Sequence, residues 1–183
     1  PDDQLFARTV RDEVAFGPRN LGRSAAETAT AVETALEQVG LGGRADAHPY
    51  DLPVADRKLV TLAAVLAMET PLLVLDEPTA GQDAEGLRRV GAIVEQLKAA
   101  GRTIIAITHD MEFCADHFGR VVVMAAGQIM ADGAAGEILR QSELLARADV
   151  QPPQLVRLAQ ALDLPGTPLT RAAFLDLYEE NQQ

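Results

Sequence analysis

A lone cysteine, Cys114, is the only thiol in the 183 residues, so no internal disulfide can form and no metal-spaced pair exists. That usage suits a reducing cytoplasm, with Cys114 read as a small helix-packing residue. Basic residues are also scarce: 16 Lys and Arg against 27 Asp and Glu leave a formal charge of -11. A protein that grips a phosphate backbone needs clustered Lys and Arg, so nucleic acid is not an expected partner. No uninterrupted apolar run approaches the roughly 20 residues that cross a bilayer, and no basic-then-apolar leader opens the chain. The expectation is a protein neither spanning a membrane nor secreted. An initiator Met is missing too: the chain starts at Pro1, as though cut from a longer sequence.

What is present is enough apolar content, 48%, to bury a real core in one large domain or a domain plus a small appendage. The chain is organised around Leu72-Leu73-Val74-Leu75-Asp76-Glu77-Pro78. Four aliphatic residues in a row suit a short strand buried on both faces, and the acids that follow stand where open parallel sheets collect ligands. Pro78 cannot donate to a ladder and ends the strand, leaving Asp76 and Glu77 at the carboxyl edge. Two acids there can divide the work of nucleotide hydrolysis, one serving a hydrated Mg2+ and one orienting or deprotonating water. They can equally do no more than solvate a turn or cap the next helix.

Upstream, Thr9 is expected to cap a short helix that Gly17-Pro18 ends. Ser24 to Glu27 fits a capping box, and Ala25, Ala29, Val32, Leu36 and Val39 keep helical spacing as far as Gly40. Residues 53 to 67 read as a mostly apolar, buried helix. Downstream, Asp83 can cap a helix carrying Leu87, Val90, Val94 and Leu97, which Gly101 closes. Residues 103 to 107 follow as a second buried strand, then Thr108-His109-Asp110. Strand, helix, strand in that order is a right-handed crossover, which sets Asp76 and His109 on one edge of a parallel sheet. His109 can alternatively cap the following helix; His48 and His117 lack acids or Cys at metal spacing. Ala125-Ala126-Gly127 joins a hairpin, and beyond about residue 141 Leu155, Leu158, Leu162, Phe174, Leu175 and Tyr178 suggest a small helical tail.

These residues resemble an ATP-binding cassette ATPase. Residues 72 to 77 look like its Walker B strand with the catalytic Glu, 80 to 83 like its D-loop, and Thr108-His109-Asp110 like its switch histidine. The amino end, Pro1-Asp2-Asp3-Gln4-Leu5-Phe6 followed by residues 14 to 18, is similar to the segment after the Q-loop in energy-coupling factor importers of vitamins, cobalt or nickel. The resemblance implies ATP and Mg2+, with Asp76 serving Mg2+ through water, Glu77 activating water, His109 holding the γ-phosphate and Asp83 communicating between protomers. It also implies a second cassette as homo- or heterodimer partner, a transmembrane coupling subunit near Gln4, Leu5 and Phe6, and a place on the cytoplasmic face of the membrane.

Two departures stand out. No G-x-x-x-x-G-K-[ST] occurs anywhere; Gly81 to Gly86 has the glycine spacing but continues Leu87-Arg88 and carries two acids. The family places its phosphate loop before the point where this chain begins, so the chain alone is expected to bind ATP weakly. And Leu52-Pro53-Val54-Ala55-Asp56 stands where the family carries L-S-G-G-Q, with no hydroxyl and an added negative charge. The expected architecture is therefore an α/β cassette of the phosphate-loop NTPase type lacking that loop. Residues 1 to 70 form a helical subdomain with the signature-like segment, 71 to 140 the ATPase core and 141 to 183 a helical appendage. The expected function is the ATPase subunit of an energy-coupling factor importer; a degenerate, non-hydrolysing half of a heterodimer is the other reading.

Overall fold

Thr9 sits in extended backbone and its hydroxyl accepts the amide of Asp12, starting α1 (Val10–Asn20). Gly17-Pro18 does not stop this helix, contrary to the expectation, and the left-handed residue after it is Gly22, at φ 77°. A Cβ at position 17 would lie 2.6 Å from Met68 Cγ, so that glycine permits close approach rather than termination. Pro18 falls in the last turn, is buried, and keeps a helical φ. α2 (Ala25–Gln38) opens with the full reciprocal capping box between Ser24 and Glu27, and Gly40 follows it in the left-handed region at φ 72°. α3 (Val54–Leu66) buries only the stripe Leu59, Val60, Ala63 and Leu66; Val54 and Val65 are exposed, so the helix is not buried all round as its composition suggested. α1 packs against both α2 and α3. The computed structural model describes residues 4–181, so Pro1-Asp2-Asp3 of the amino-terminal resemblance lie outside the described residues.

β1 (Leu72–Asp76), α4 (Ala84–Ala99) and β2 (Thr103–Ile107) form the expected crossover, and the strands pair in parallel with Val74 opposite Ile105 and Asp76 opposite Ile107. Asp83 caps α4 by accepting the Gly86 amide at 2.8 Å, and the buried stripe Val90, Ile93, Val94 and Leu97 faces inward. Both strands were expected to be covered on both faces; they are not. Leu73 is buried, whereas Leu72, Val74, Ile105 and Ile107 stand about half exposed on the other face. α4 supports the sheet from one side, and among the described residues of this unit the apolar side chains on the other remain about half exposed.

The chain forms two compact units, the first running to Ile107 and the second starting at Thr108. In the second, α5 (Met111–His117) is capped by Asp110, and buried Cys114 packs with Met111, Ala135 and Leu139, the helix-packing role read from sequence. β3 (Arg120–Ala125) and β4 (Gln128–Ala134) pair antiparallel around Ala126 and Gly127, both at positive φ as a two-residue primed turn requires. α6 (Ala135–Ile138) and α7 (Ser142–Arg147) close over the hairpin through Val123, Ile138 and Leu145. α8 (Gln154–Ala161) and α9 (Arg171–Glu180) form the helical tail. α8 buries Val156 and Ala159, while Leu158 and Leu162 from the anticipated stripe are exposed. Among the described residues no helix is long and apolar enough to cross a membrane.

Candidate functional site

The site grows from the end of β1. Asp76, its last residue, shares the open face of the pair with Val74, Ile105 and Ile107. The next residue leaves the strand sharply: Glu77 adopts φ 46°, a left-handed conformation that costs a non-glycine residue about 1–2 kcal/mol. It is held there because its amide donates to the Ile107 carbonyl at 2.8 Å, one register step beyond the ladder. Strain of this kind, enforced by neighbouring structure, gathers at functional positions. Pro78 and the buried Thr79 follow, and the amide of Ala80 returns to the Glu77 carbonyl at 3.2 Å.

Asp76 and Glu77 line a cleft of about 640 Å³ with Lys58 and Thr61 of α3, Val74 and Gln82. The Lys58 ammonium donates to the carbonyl of Ala80, tying α3 to the turn. The sequence alone assigns Lys58 no separate role, since it follows Asp56 and Arg57 in a charged first turn and nothing in its spacing sets it apart. Among the described residues the buried side-chain oxygen of Gln82 has no hydrogen-bond partner, and a Cβ at Gly86 would meet that flexible side chain at 2.1 Å. Gly81 to Gly86 is no phosphate cradle, since the Gly86 amide is taken by the carboxylate of Asp83. Asp83 therefore spends one oxygen on capping and is otherwise exposed.

β2 runs directly into Thr108 and His109. The Asp110 amide donates to the Thr108 hydroxyl at 3.1 Å and the Asp110 carboxylate accepts the Phe113 amide at 3.0 Å. Asp110 is thus the cap of α5, and the reading of His109 as that cap is set aside. His109 lies two residues beyond Ile107, the residue that pairs with Asp76 and accepts from Glu77.

In the signature-like segment Leu52 is buried, and Pro53 occupies the N-cap of α3 without a side-chain cap bond. Val54 is exposed, and Ala55 and Asp56 are half-buried in the first turn. Arg57 holds the segment by donating to the carbonyls of Leu52 at 3.0 Å and Tyr50 at 2.9 Å. At the amino end Gln4 lines the carboxylate cleft. Leu5 is core, whereas Phe6 is exposed and meets exposed Phe16 edge-on, with ring centroids 4.8 Å apart. Buried Glu13 fixes this corner by accepting the amides of Phe6 and Ala7 at 3.0 and 2.7 Å.

Among the described residues no three His, Cys, Asp or Glu gather into a metal cage. The donor set still suits Mg2+, which is bound through one or two carboxylates while water and phosphate oxygens complete its shell. Asp76 offers such a carboxylate at an open strand end.

No family model matches the chain. It is 39% identical over 166 residues to the energy-coupling factor transporter ATP-binding protein EcfA of Methanothermobacter thermautotrophicus, covering 91% of this chain and 53% of that protein. To the cobalt import ATP-binding protein CbiO of Rhodobacter capsulatus it is 39% identical over 158 residues, covering 86% and 56%. Among solved structures it is similar to cbiO1 from Clostridium perfringens, part of the ABC transporter complex cbiONQ, with TM-score 0.70 and 32% identity over 89% of this chain and 64% of that one. The chain spans little more than half the length of these curated relatives.

Proposed function

The chain belongs to the ATP-binding cassette ATPases, and from that premise we propose that it forms the Walker B and switch part of the ATP-hydrolysing subunit of an energy-coupling factor type importer. The observation that carries the reading is the β1–β2 register, which holds Asp76 level with Ile107 and pins the strained Glu77 to the same carbonyl. In this reading Glu77 accepts the proton of the attacking water and Asp76 holds the hydration shell of Mg2+. Bound there, Mg2+ neutralises phosphate charge. His109 donates to the γ-phosphate, and Asp83 faces a second cassette.

The half-exposed face of Leu72, Val74, Ile105 and Ile107 supports a larger assembly, because parallel sheets are covered on both sides. We assign its cover to polypeptide carrying the phosphate loop, which the relatives' greater length can accommodate. We assign the exposed Phe6–Phe16 pair as the point offered to a membrane-embedded partner, a role that would put the protein at the cytoplasmic face. In the cassette assembled with its partners, Glu77→Gln is expected to lower steady-state ATPase by about 100-fold or more while nucleotide binding persists. Turnover that survives the change removes Glu77 from the role of base.

One feature favours the second reading, a cassette that binds but does not hydrolyse at one composite site. Pro53 leaves the start of α3 without a hydroxyl cap, and Asp56 adds negative charge in its first turn. If Glu77→Gln leaves turnover intact while the matching change in the partner cassette abolishes it, the chain is the silent half.

A further inference from the structure

Of the described residues lining the carboxylate cleft, Lys58 alone is cationic, set among Glu13, Asp76 and Glu77. An ammonium in such company is drawn toward carboxylates. Its hydrogen-bond partner is instead a backbone carbonyl, that of Ala80. The approach is close: a Cβ built on the next residue, Gly81, would stand 3.3 Å from Lys58 Nζ. The Lys58 side chain is half-buried and leaves α3 beside Leu59 and Val60, whose burial anchors that turn of the helix.

Ala80 connects this bond to the acidic pair. Its amide donates to the Glu77 carbonyl at 3.2 Å, and the Glu77 amide donates to the Ile107 carbonyl at 2.8 Å. A line of hydrogen bonds therefore runs from α3 through Ala80 and Glu77 to β2. The turn it threads holds two residues with left-handed backbone, Glu77 at φ 46° and Gly81 at φ 70°. A conformation of that kind in a non-glycine residue persists only where the surroundings over-determine it. Ile107 supplies one hold on Glu77, and Lys58 supplies the other. Because α3 opens in the signature-like segment, the same bond joins that segment to the Glu77 turn.

We propose that Lys58 is a positioning residue for hydrolysis: its ammonium, seated on the Ala80 carbonyl, fixes the turn that aims the Glu77 carboxylate at the attacking water and passes any shift of α3 to it. The inference rests on the reading of Glu77 as the base. Lys58 acts through the turn rather than on the nucleotide. A misplacement of about 1 Å at a reacting group can cost about 100-fold in rate, and a loosened turn should cost less than that.

The test uses Lys58→Met, which keeps the apolar stem and the helix propensity of Lys but removes the donor. In the cassette assembled with its partners and given ATP and Mg2+, kcat is expected to fall about tenfold while KM for ATP stays within about twofold. Lys58→Arg restores a donor and should recover most of the turnover. In the Glu77→Gln background Lys58→Met should cost nothing further, because the two residues act as one unit. A merely structural role would lower turnover by the same factor in both backgrounds. Hydrogen exchange should quicken at residues 77–82 in Lys58→Met and stay unchanged in α2, which reports that the fold is intact. The proposal is overturned if Lys58→Met turns over like the parent, if Lys58→Arg is as slow as Lys58→Met, if exchange in the turn is unchanged, or if the cost is the same with and without Glu77. Turnover that survives Glu77→Gln overturns the reading beneath it as well; a fall with Glu77→Gln but not with Lys58→Met overturns this inference alone.

Discussion

The parallel pair β1–β2 and the hairpin β3–β4 are both two-stranded, and both leave large apolar side chains about half exposed or more. The same exposure has different meanings. An antiparallel hairpin ordinarily keeps one face in water, so Val122, Met124 and Ile129 on the surface need no further partner, while Val123 packs with Ile138 and Leu145 on the other side. A parallel pair is ordinarily covered on both faces, so Val74 and Ile105 in solvent fit the covering polypeptide proposed above. The hairpin is also closed by its own turn, whereas the parallel pair depends on α4 to bring distant segments together.

The comparison can be broken most decisively within β1. Leu73→Ala, at a fully buried position, is expected to lower unfolding free energy by about 2–5 kcal/mol in urea titrations. Its neighbour Val74→Ala should change this chain by no more than about 1 kcal/mol, as an exposed site does. In the cassette with its covering polypeptide, Val74→Ala should become clearly destabilising; if it stays neutral there, the open face is not an internal surface. The hairpin offers a smaller effect. Gly127→Ala places a Cβ at φ 74° and should lower stability by about 1–2 kcal/mol, read as a fall in Tm.

The smallest effect is electrostatic. Two hydrogen bonds from the Arg120 guanidinium, at 2.8 and 2.7 Å, hold the Asp132 carboxyl below its ordinary 3.8, the ion-pair attraction adding to them. A folded-state pKa that is depressed gives stability present above the unfolded value and lost as pH falls through the folded one. The loss should therefore begin below about pH 3.8 and be small, since the pair is exposed and screened by salt. NMR titration should place the Asp132 transition below that of a model peptide, and Arg120→Gln should move it up. Glu27 in the α2 capping box should behave alike, because the Ser24 hydroxyl and amide both donate to it.

Local chemistry explains which readings from sequence held. Thr9, Ser24 and Asp83 cap the helices assigned to them, since a short oxygen side chain before an amphipathic run meets amides only two or three residues away. Misreadings came where packing overrode a local rule. Gly17-Pro18 looked like a stop, but Met68 needs the space over Gly17. Leu158 and Leu162 looked like core, yet Val156 and Ala159 are the residues buried. The strand end that carries Asp76 and Glu77 and the cap at Asp83 were legible; the contacts of Lys58 and Gln82 beside them cross from one element to another, which spacing does not encode.

From its order of residues alone this chain determined its helix caps, its hairpin turn and the pairing of two acids with a strand end, because each rests on interactions within a few residues. Tertiary structure decided which face of β1 is open, how Glu77 is pinned to Ile107, and that Lys58 meets the Ala80 carbonyl. Those depend on which distant surfaces meet, and side chains of identical type are buried or exposed according to what lies opposite them.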